Sequence, residues 1–130
     1  MLRKIQQLSI IIILFLLGCA AQGPLTGGPA DEKGPMLITV QPANASLEIA
    51  QEQKIILTFD ELLDPVSIPA SIQIEFDLDY KLKIRGRKLI IYPDKIWPEN
   101  GIIRINISRN IRDYQKNMMS EPIQLIYSTG

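Results

Sequence analysis

The side chains that could do chemistry are few in this chain. It has no histidine, its one cysteine is at position 19, and its serines lie outside any nucleophile-elbow pattern. Histidine is the commonest general base in enzymes, so its absence argues against acid–base catalysis. The residues therefore predict a protein that is not an enzyme, with no cofactor.

The densest cluster of carboxylates consists of Asp60, Glu61 and Asp64. Together with backbone carbonyls, these side chains could coordinate Ca²⁺. Their spacing matches no calcium-binding loop, so a solvated loop is the favoured interpretation and no metal site is predicted.

The surroundings of Cys19 suggest a different chemistry. An apolar run at residues 8–17 follows Arg3 and Lys4 and ends in the sequence Leu16-Leu17-Gly18-Cys19. The run is far shorter than the roughly 20 residues of a membrane-spanning helix. It fits the apolar part of a signal peptide, with small residues around the cleavage point. An uncleaved anchor helix would have to continue through residues 22–24, where Gln, Gly and Pro end the run.

The segment that ends at Cys19 resembles a bacterial lipobox. This resemblance implies that residues 1–18 are removed, that Cys19 receives a diacylglyceryl thioether, and that its new amino group is acylated, as with palmitate. Two or three acyl chains give durable membrane attachment, whereas one chain does not. Because Ala20 rather than Asp follows Cys19, the resemblance also implies an outer-membrane lipoprotein; which side it faces stays open.

Net charge and cysteine content restrict the classes of partner and the ways in which the domain can be stabilised. Loss of Arg3 and Lys4 from the 14 basic residues leaves 12, against 14 acidic residues, so the mature chain has a net charge of −2. This net charge argues against nucleic acid as a partner, because a nucleic-acid-binding protein would be expected to carry a clustered basic face. With Cys19 committed to lipid, the exported part has no internal disulfide and must be stabilised by burial of apolar side chains.

Residues 19–35 are rich in Gly, Pro, Ala and Thr. Too few apolar side chains are present to offset the entropy of ordering them, so we predict a lipidated flexible tether. Residues 36–130 are enough for one domain.

The dominant pattern beyond residue 35 has a period of two. Apolar residues at 55, 57 and 59, at 72, 74 and 76, at 103, 105 and 107, and at 123, 125 and 127 alternate with mostly polar neighbours. Such alternation is typical of half-buried strands. Strands are predicted at 37–41, 54–60, 71–76, 80–85, 88–92, 101–108 and 122–128.

Seven short strands separated by turn signals favour an all-β, antiparallel two-sheet sandwich, with a small barrel as the alternative. The step at residues 85–88 predicts a hairpin with Gly86 at positive φ. Residues 111–119 are predicted to hold a short helical turn within a crossing loop.

Two charged stripes flank residue 79. Acidic Glu75, Asp77 and Asp79 are followed by the basic residues Lys81, Lys83, Arg85 and Arg87. If the chain reverses near Asp79, the stripes face each other and their pairing stabilises the register. Pairing or protection of a sheet edge is favoured; the functional alternative is a basic patch for an acidic glycan or a lipid headgroup.

Trp97 is the remaining conspicuous residue. On a loop between Pro93 and Pro98 it could stack on a sugar or anchor a protein contact. The favoured interpretation is a plug over one end of the sandwich.

Five segments have a combined order and spacing that is informative: Thr26-Gly27-Gly28-Pro29, Gln41-Pro42-Ala43-Asn44, the segments 56–61 and 85–89, and Tyr127-Ser128-Thr129-Gly130. Together they resemble a known family, the SbsA-type bacterial Ig-like domain of envelope lipoproteins. The sequence departs from the usual pattern at Gly34-Pro35, where a Pro-Pro pair is common. The resemblance implies an Ig-like sandwich that acts as a spacer or binding surface without catalytic residues.

Two functions follow as hypotheses. The first is a lipid-anchored, non-catalytic Ig-like structural or interaction module of the bacterial cell envelope, with an envelope protein as partner. The alternative is a small glycan- or ligand-binding envelope lipoprotein that uses Trp97 and the basic residues from Lys81 to Lys88.

Overall fold

The computed structural model describes residues 33–130, and within them seven β-strands carry the fold. The strands are β1 (Leu37–Gln41), β2 (Ile55–Phe59), β3 (Ile72–Ile74), β4 (Tyr80–Arg85), β5 (Lys88–Pro93), β6 (Ile102–Ile107) and β7 (Ile123–Ser128). Short 3-10 turns lie at Pro65–Ser67, Pro69–Ser71 and Glu75–Asp77. All seven predicted strands are confirmed, with ends within two residues of the predicted ones.

The strands form two antiparallel sheets. One sheet has the order β1-β2-β5-β4 and the other the order β3-β6-β7. The inner faces supply the core: Leu57 lies opposite Leu89 in the four-stranded sheet, and Ile105 lies opposite Leu125 in the three-stranded sheet. These four side chains are at most 4% exposed. The all-β antiparallel sandwich is confirmed.

The free edge of β7 is covered by the segment that follows β1. The amide of Ala45 donates to Ile126 O at 2.9 Å, and the amide of Ile49 donates to Ser128 O at 2.9 Å. The side chain of Asn44 also bonds to the β7 backbone through both its Oδ1 and its Nδ2. The chain thus leaves the first sheet after β1 and satisfies the edge of the second, where unpaired backbone groups would otherwise invite aggregation.

The hairpin between β4 and β5 is confirmed. Arg85 pairs with Lys88, and Gly86 has a φ of +61° at the first turn position. A glycine adopts this conformation without the steric cost that a Cβ would add.

The folded unit takes in two residues that the sequence analysis assigned to the end of the tether. Gly34 and Pro35 are buried. A Cβ at Gly34 would overlap the carbonyl oxygen of Met118, so the backbones of the two segments are in close contact there.

Phe76 does not point inward as predicted. Strand β3 ends at Ile74, and Phe76 has a φ of 65° and is 76% exposed. The alternation breaks because the chain turns at Glu75–Asp77 to reach the other sheet.

The predicted helical turn within residues 111–119 is wrong. Arg112 and Met118 form an isolated antiparallel bridge, and the buried Asp113 closes the loop. Its carboxylate accepts hydrogen bonds from the amide and the Nδ2 of Asn117, at 2.9 and 3.1 Å. Side-chain bonding to the backbone replaces helical bonding here.

Candidate binding surfaces

Cys19, with residues 1–18 and most of the predicted tether, lies outside the described residues. Within residues 33–130 there is no helix with the length and apolar character that crossing a bilayer requires.

Trp97 belongs to the core and does not form a surface site. Its side chain is 0% exposed, and its indole Nε1 donates to the carbonyl oxygen of Gln53 at 2.8 Å. The Nε2 of Gln51 donates to the Trp97 carbonyl oxygen at 3.0 Å. A fully enclosed ring cannot stack on a sugar, so the suggested ligand role of Trp97 is corrected in favour of the plug. This burial also removes the aromatic platform of the glycan-binding alternative.

The acidic and basic stripes do not face each other. Glu75 follows β3 in the three-stranded sheet, whereas Lys81, Lys83 and Arg85 lie on β4, whose only strand partner in the described sheets is β5. Asp77 lies in the 3-10 turn that leads from β3 to β4, and Asp79 directly precedes β4, so the acidic residues form no strand opposite β4 and the predicted cross-strand pairing is wrong. Lys81 instead pairs with Asp94 at 3.2 Å, and Glu75 pairs with Arg104 at 3.6 Å.

The basic residues mark the exposed edge of the four-stranded sheet. Lys81, Lys83 and Arg85 occupy alternate exposed positions on edge strand β4, and Arg87 is exposed in the hairpin. Charged side chains on an edge discourage pairing with other strands. The structure thus brings these four predicted residues together on one side of the domain.

Apolar side chains accompany these cations on the outer face of the same sheet. Ile90 and Tyr92 on β5 point away from the core, and Ile56 on β2 lies opposite Ile90. The Nζ of Lys54 lies 5.9 Å from the centroid of the Tyr92 ring. The sequence pattern contained this feature, because Ile90 and Ile56 interrupt the polar half of the alternation.

The carboxylates singled out as a possible Ca²⁺ site are used locally. Asp60 Oδ1 accepts the amide of Met36 at 2.8 Å, and Asp64 Oδ1 accepts the amide of Val66 at 3.1 Å. Asp64 therefore caps the 3-10 turn at Pro65–Ser67. Among residues 33–130, no three acidic or thiol side chains come together in a way that could hold a metal ion.

A depression of about 600 Å³ lies at the end of the sandwich over Trp97. Its rim carries Asp77, Asp79, Asp94 and Glu99, with Lys95 as the one basic residue among its lining groups. This end of the domain is therefore predominantly acidic.

A second surface, which the sequence analysis missed, is apolar. Leu47, Ile102 and Ile126 are 74%, 49% and 37% exposed and line a concavity of about 320 Å³ beside β7. Ile102 and Ile126 occupy outward positions on β6 and β7, a signal visible in the alternation. Leu47 joins them only because the 44–49 segment crosses to that edge.

Tyr127 forms the floor of this concavity and is 1% exposed. Its hydroxyl donates to the Pro42 carbonyl oxygen at 2.7 Å. Burial raises the pKa of Tyr127 to about 12, because the phenolate would lose its hydration. The side chain therefore links β7 to the chain as it leaves β1.

The fold is shared with solved bacterial proteins. An L,D-transpeptidase from Mycobacterium smegmatis matches 74% of this chain at 16% identity with a TM-score of 0.55, over 40% of its own length. L,D-transpeptidase 1 of Mycobacterium tuberculosis matches 74% of the chain at 17% identity with a TM-score of 0.50, over 39% of its length. The chain thus corresponds to less than half of each transpeptidase.

The N-terminal part of the bacterial S-layer protein SbsC matches 72% of the chain at 14% identity with a TM-score of 0.50, over 23% of its length. At these identities the likeness concerns the fold alone. Comparison with curated proteins finds no significant sequence match. The sequence profile of the bacterial Ig-like domain matches residues 31–129, most of the chain and all but Gly130 of its described part. The chain belongs to the bacterial Ig-like domain family.

Proposed function

We propose that this protein is a lipid-anchored, non-catalytic Ig-like structural or interaction module of the bacterial cell envelope. The family match at residues 31–129 carries the proposal for the folded part, and the Leu16-Leu17-Gly18-Cys19 sequence carries it for the anchor. Residues 1–18 would be the signal peptide and residues 19–35 the tether. The Ala at position 20 favours the outer membrane as the location.

The described residues support a role in presenting surfaces. The core is apolar and self-contained, and the buried polar side chains Ser67, Ser71 and Asp113 all have hydrogen-bond partners. Such a domain holds its faces rigidly at a distance from its point of attachment.

The partner in this proposal is another envelope protein. Leu47, Ile102 and Ile126 form the most apolar of the exposed concavities described above, and exposed apolar patches of this kind mark protein contacts. A partner with an apolar projection fits this surface better than a charged polymer does, since none of the residues that line it is charged.

The anchor is tested on the full chain produced in a bacterial host. Intact-mass measurement of the membrane fraction should show a chain that begins at Cys19 and carries the mass of a diacylglyceryl group and an N-acyl group. Cys19→Ser should abolish both the processing and the modification, whereas the matched Gln22→Ser should be processed like the parent. An unmodified thiol in the parent, or equal membrane partitioning of the Cys19→Ser chain, would refute the anchor.

The interaction surface is tested separately by crosslinking in intact cells. Ile126→Glu places a charge in the apolar concavity and should remove the crosslinked envelope protein, while Gln124→Glu, at the next outward position on β7, should leave it in place. Equal crosslinking by the two variants would show that the partner binds elsewhere.

A further inference from the structure

The outer face of the four-stranded sheet has an unusual composition. Its outward positions, by strand register, are Thr39, Gln41, Ile56, Thr58, Lys88, Ile90, Tyr92, Lys81, Lys83 and Arg85. None of these positions on the four strands holds a carboxylate. We refer to this set as the basic face.

The charges of the basic face are mostly uncompensated. The Nζ of Lys81 forms a salt bridge with Oδ1 of Asp94 at 3.2 Å. Lys83, Arg85 and Lys88 have no salt-bridge partner in the described part of the chain, and all three are exposed. Like charges so close together raise the energy of the free domain, and an anionic surface would relieve that repulsion.

Apolar groups occupy the centre of the basic face. Ile56, Ile90 and Tyr92 are half-buried, yet they do not pack against the core. Tyrosine prefers the boundary between water and lipid, and lysine stems cover apolar surface while their ammonium groups reach headgroups. This combination suits a bilayer surface better than it suits a hydrated acidic polysaccharide.

A second copy of the domain does not fit this edge. Pairing of two β4 strands would bring Lys81, Lys83 and Arg85 close to the same cations of the other copy. Like charges on adjacent strands are destabilising.

The path of the chain places the basic face near the point where the chain enters the described domain. The Met36 carbonyl oxygen accepts the amide of Asp60 at 3.0 Å, and the amide of Phe59 donates to the Arg87 carbonyl oxygen at 2.8 Å. The chain therefore enters the domain at the same end of the sheet as the β4–β5 hairpin. Adjacent strands are about 4.8 Å apart, so the entry point and β4 are separated by only about 15 Å.

The acidic end of the domain lies at the other end of the same strands. Tyr80 pairs with Pro93 at that end. The rim residues Asp77 and Asp79 come just before Tyr80 in the sequence, and Asp94 directly follows Pro93. The basic face thus adjoins the point where the chain enters the domain, which also carries Asp60, whereas the carboxylates at the opposite end have Lys95 as the one basic residue among them. An anionic bilayer would attract the basic face and repel the opposite end.

We infer that, in the anchored protein, the basic face lies against the anionic lipid headgroups of the membrane that holds Cys19. This inference rests on the proposed lipid anchor. Lys33 lies fourteen positions after Cys19 in the sequence. Such a segment reaches at most about 50 Å, while a domain of this size is roughly 30 Å across. The domain therefore always stays near the bilayer, and a weak attraction is enough to choose which face meets it.

The test uses the full lipidated chain, reconstituted into vesicles of phosphatidylcholine and phosphatidylglycerol in equal amounts. A fluorophore is attached to an introduced cysteine, either Thr39→Cys on the basic face or Gln73→Cys on the outer face of the other sheet. Both positions are exposed. A nitroxide on the lipid headgroup should quench the label at position 39 and spare the label at position 73.

Variants that each remove one cation measure how much that charge contributes to the orientation of the domain on the membrane. One cation near an anionic surface changes the ratio of face-down to face-up domains by about fivefold. Lys83→Gln should lower this ratio by about that factor, whereas Lys95→Gln, on the acidic rim, should not lower it. Raising the salt concentration should act in the same direction as Lys83→Gln, because exposed charges are screened.

Vesicle flotation separates the two proposals. Failure of the unlabelled chain to float with vesicles of phosphatidylcholine alone would count against the anchor. Flotation with equal quenching at positions 39 and 73, or with quenching unchanged by Lys83→Gln, would overturn the inference while leaving the anchor intact. The inference would also be overturned, in favour of a glycan ligand, if a soluble acidic polysaccharide protected the label at position 39 from quenching and the quenching did not depend on phosphatidylglycerol.

Discussion

Replacing Trp97 should remove a large share of the domain's free energy of unfolding, because Trp97 is a core residue and not part of a ligand site. The side chain is 0% exposed, and its Nε1 donates to the Gln53 carbonyl oxygen at 2.8 Å. Trp97→Ala removes the largest buried side chain and leaves a cavity, at a cost of about 3–5 kcal/mol. Domains of this size are stable by only about 5–15 kcal/mol.

A more conservative change separates the contribution of ring packing from that of the indole hydrogen bond. Trp97→Phe keeps an aromatic ring in the core but removes the indole donor. The Gln53 carbonyl oxygen then loses a buried partner, and we expect a loss of about 1–3 kcal/mol. The exposed neighbour supplies the control: Ile96 is 62% exposed, so Ile96→Ala should change stability by less than about 0.5 kcal/mol.

Urea unfolding followed by circular dichroism measures these changes in stability. Tryptophan fluorescence cannot be used for all the variants, because the two Trp97 variants lack the chain's one tryptophan. With an m-value of about 2 kcal/mol per molar urea, a loss of 4 kcal/mol for Trp97→Ala lowers the midpoint by about 2 M. In the parent, iodide should leave Trp97 fluorescence unquenched until the domain unfolds. A midpoint for Trp97→Ala equal to that of Ile96→Ala, or a tryptophan that iodide quenches in the folded state, would refute this account of the core.

Other predictions concern Tyr127 and two glycines. Because the folded-state pKa of Tyr127 is about 12 and the unfolded value is about 10, the neutral phenol stabilises the domain fully below pH 10. That contribution, roughly 2–3 kcal/mol, is lost as the pH rises through 12; urea midpoints at pH 9 to 11 should fall in the parent and stay flatter in Tyr127→Phe. Gly34→Ala should cost about 1–3 kcal/mol or more in thermal unfolding, because the new Cβ meets the Met118 backbone. Gly86→Ala should cost about 1 kcal/mol, since only its φ of +61° is unfavourable and its Cβ has room; equal losses for the two glycine variants would contradict this distinction.

Strand positions were predictable because they depend on local alternation. β4 at Tyr80–Arg85 agrees with the prediction residue for residue, and the Gly86 hairpin follows from a requirement for positive φ within two turn residues. Both signals are complete within a few neighbouring positions. Phe76 shows the limit, because its place in the alternation continues while the backbone has already turned away.

The candidate surfaces depended on contacts between distant segments. Trp97 is enclosed by Gln51 and Gln53, which are more than forty residues earlier in the chain. The acidic and basic stripes are adjacent in sequence, but the acidic residues lie in the connection between β3 and β4, and β5 is the strand that pairs with β4. Which strands become neighbours is decided by how both sheets close over one core, and no single segment carries that information.

The amino-acid sequence alone determined the strand pattern, the hairpin, the sparse chemistry and the lipobox-like context of Cys19, since each is a matter of residue type and short spacing. The tertiary structure alone decided that Trp97 is a core residue, that β4 is an exposed edge, and that its cations share a face with Ile90 and Tyr92. Burial and surface composition arise when the sheets pack, because packing brings together side chains that are far apart along the chain.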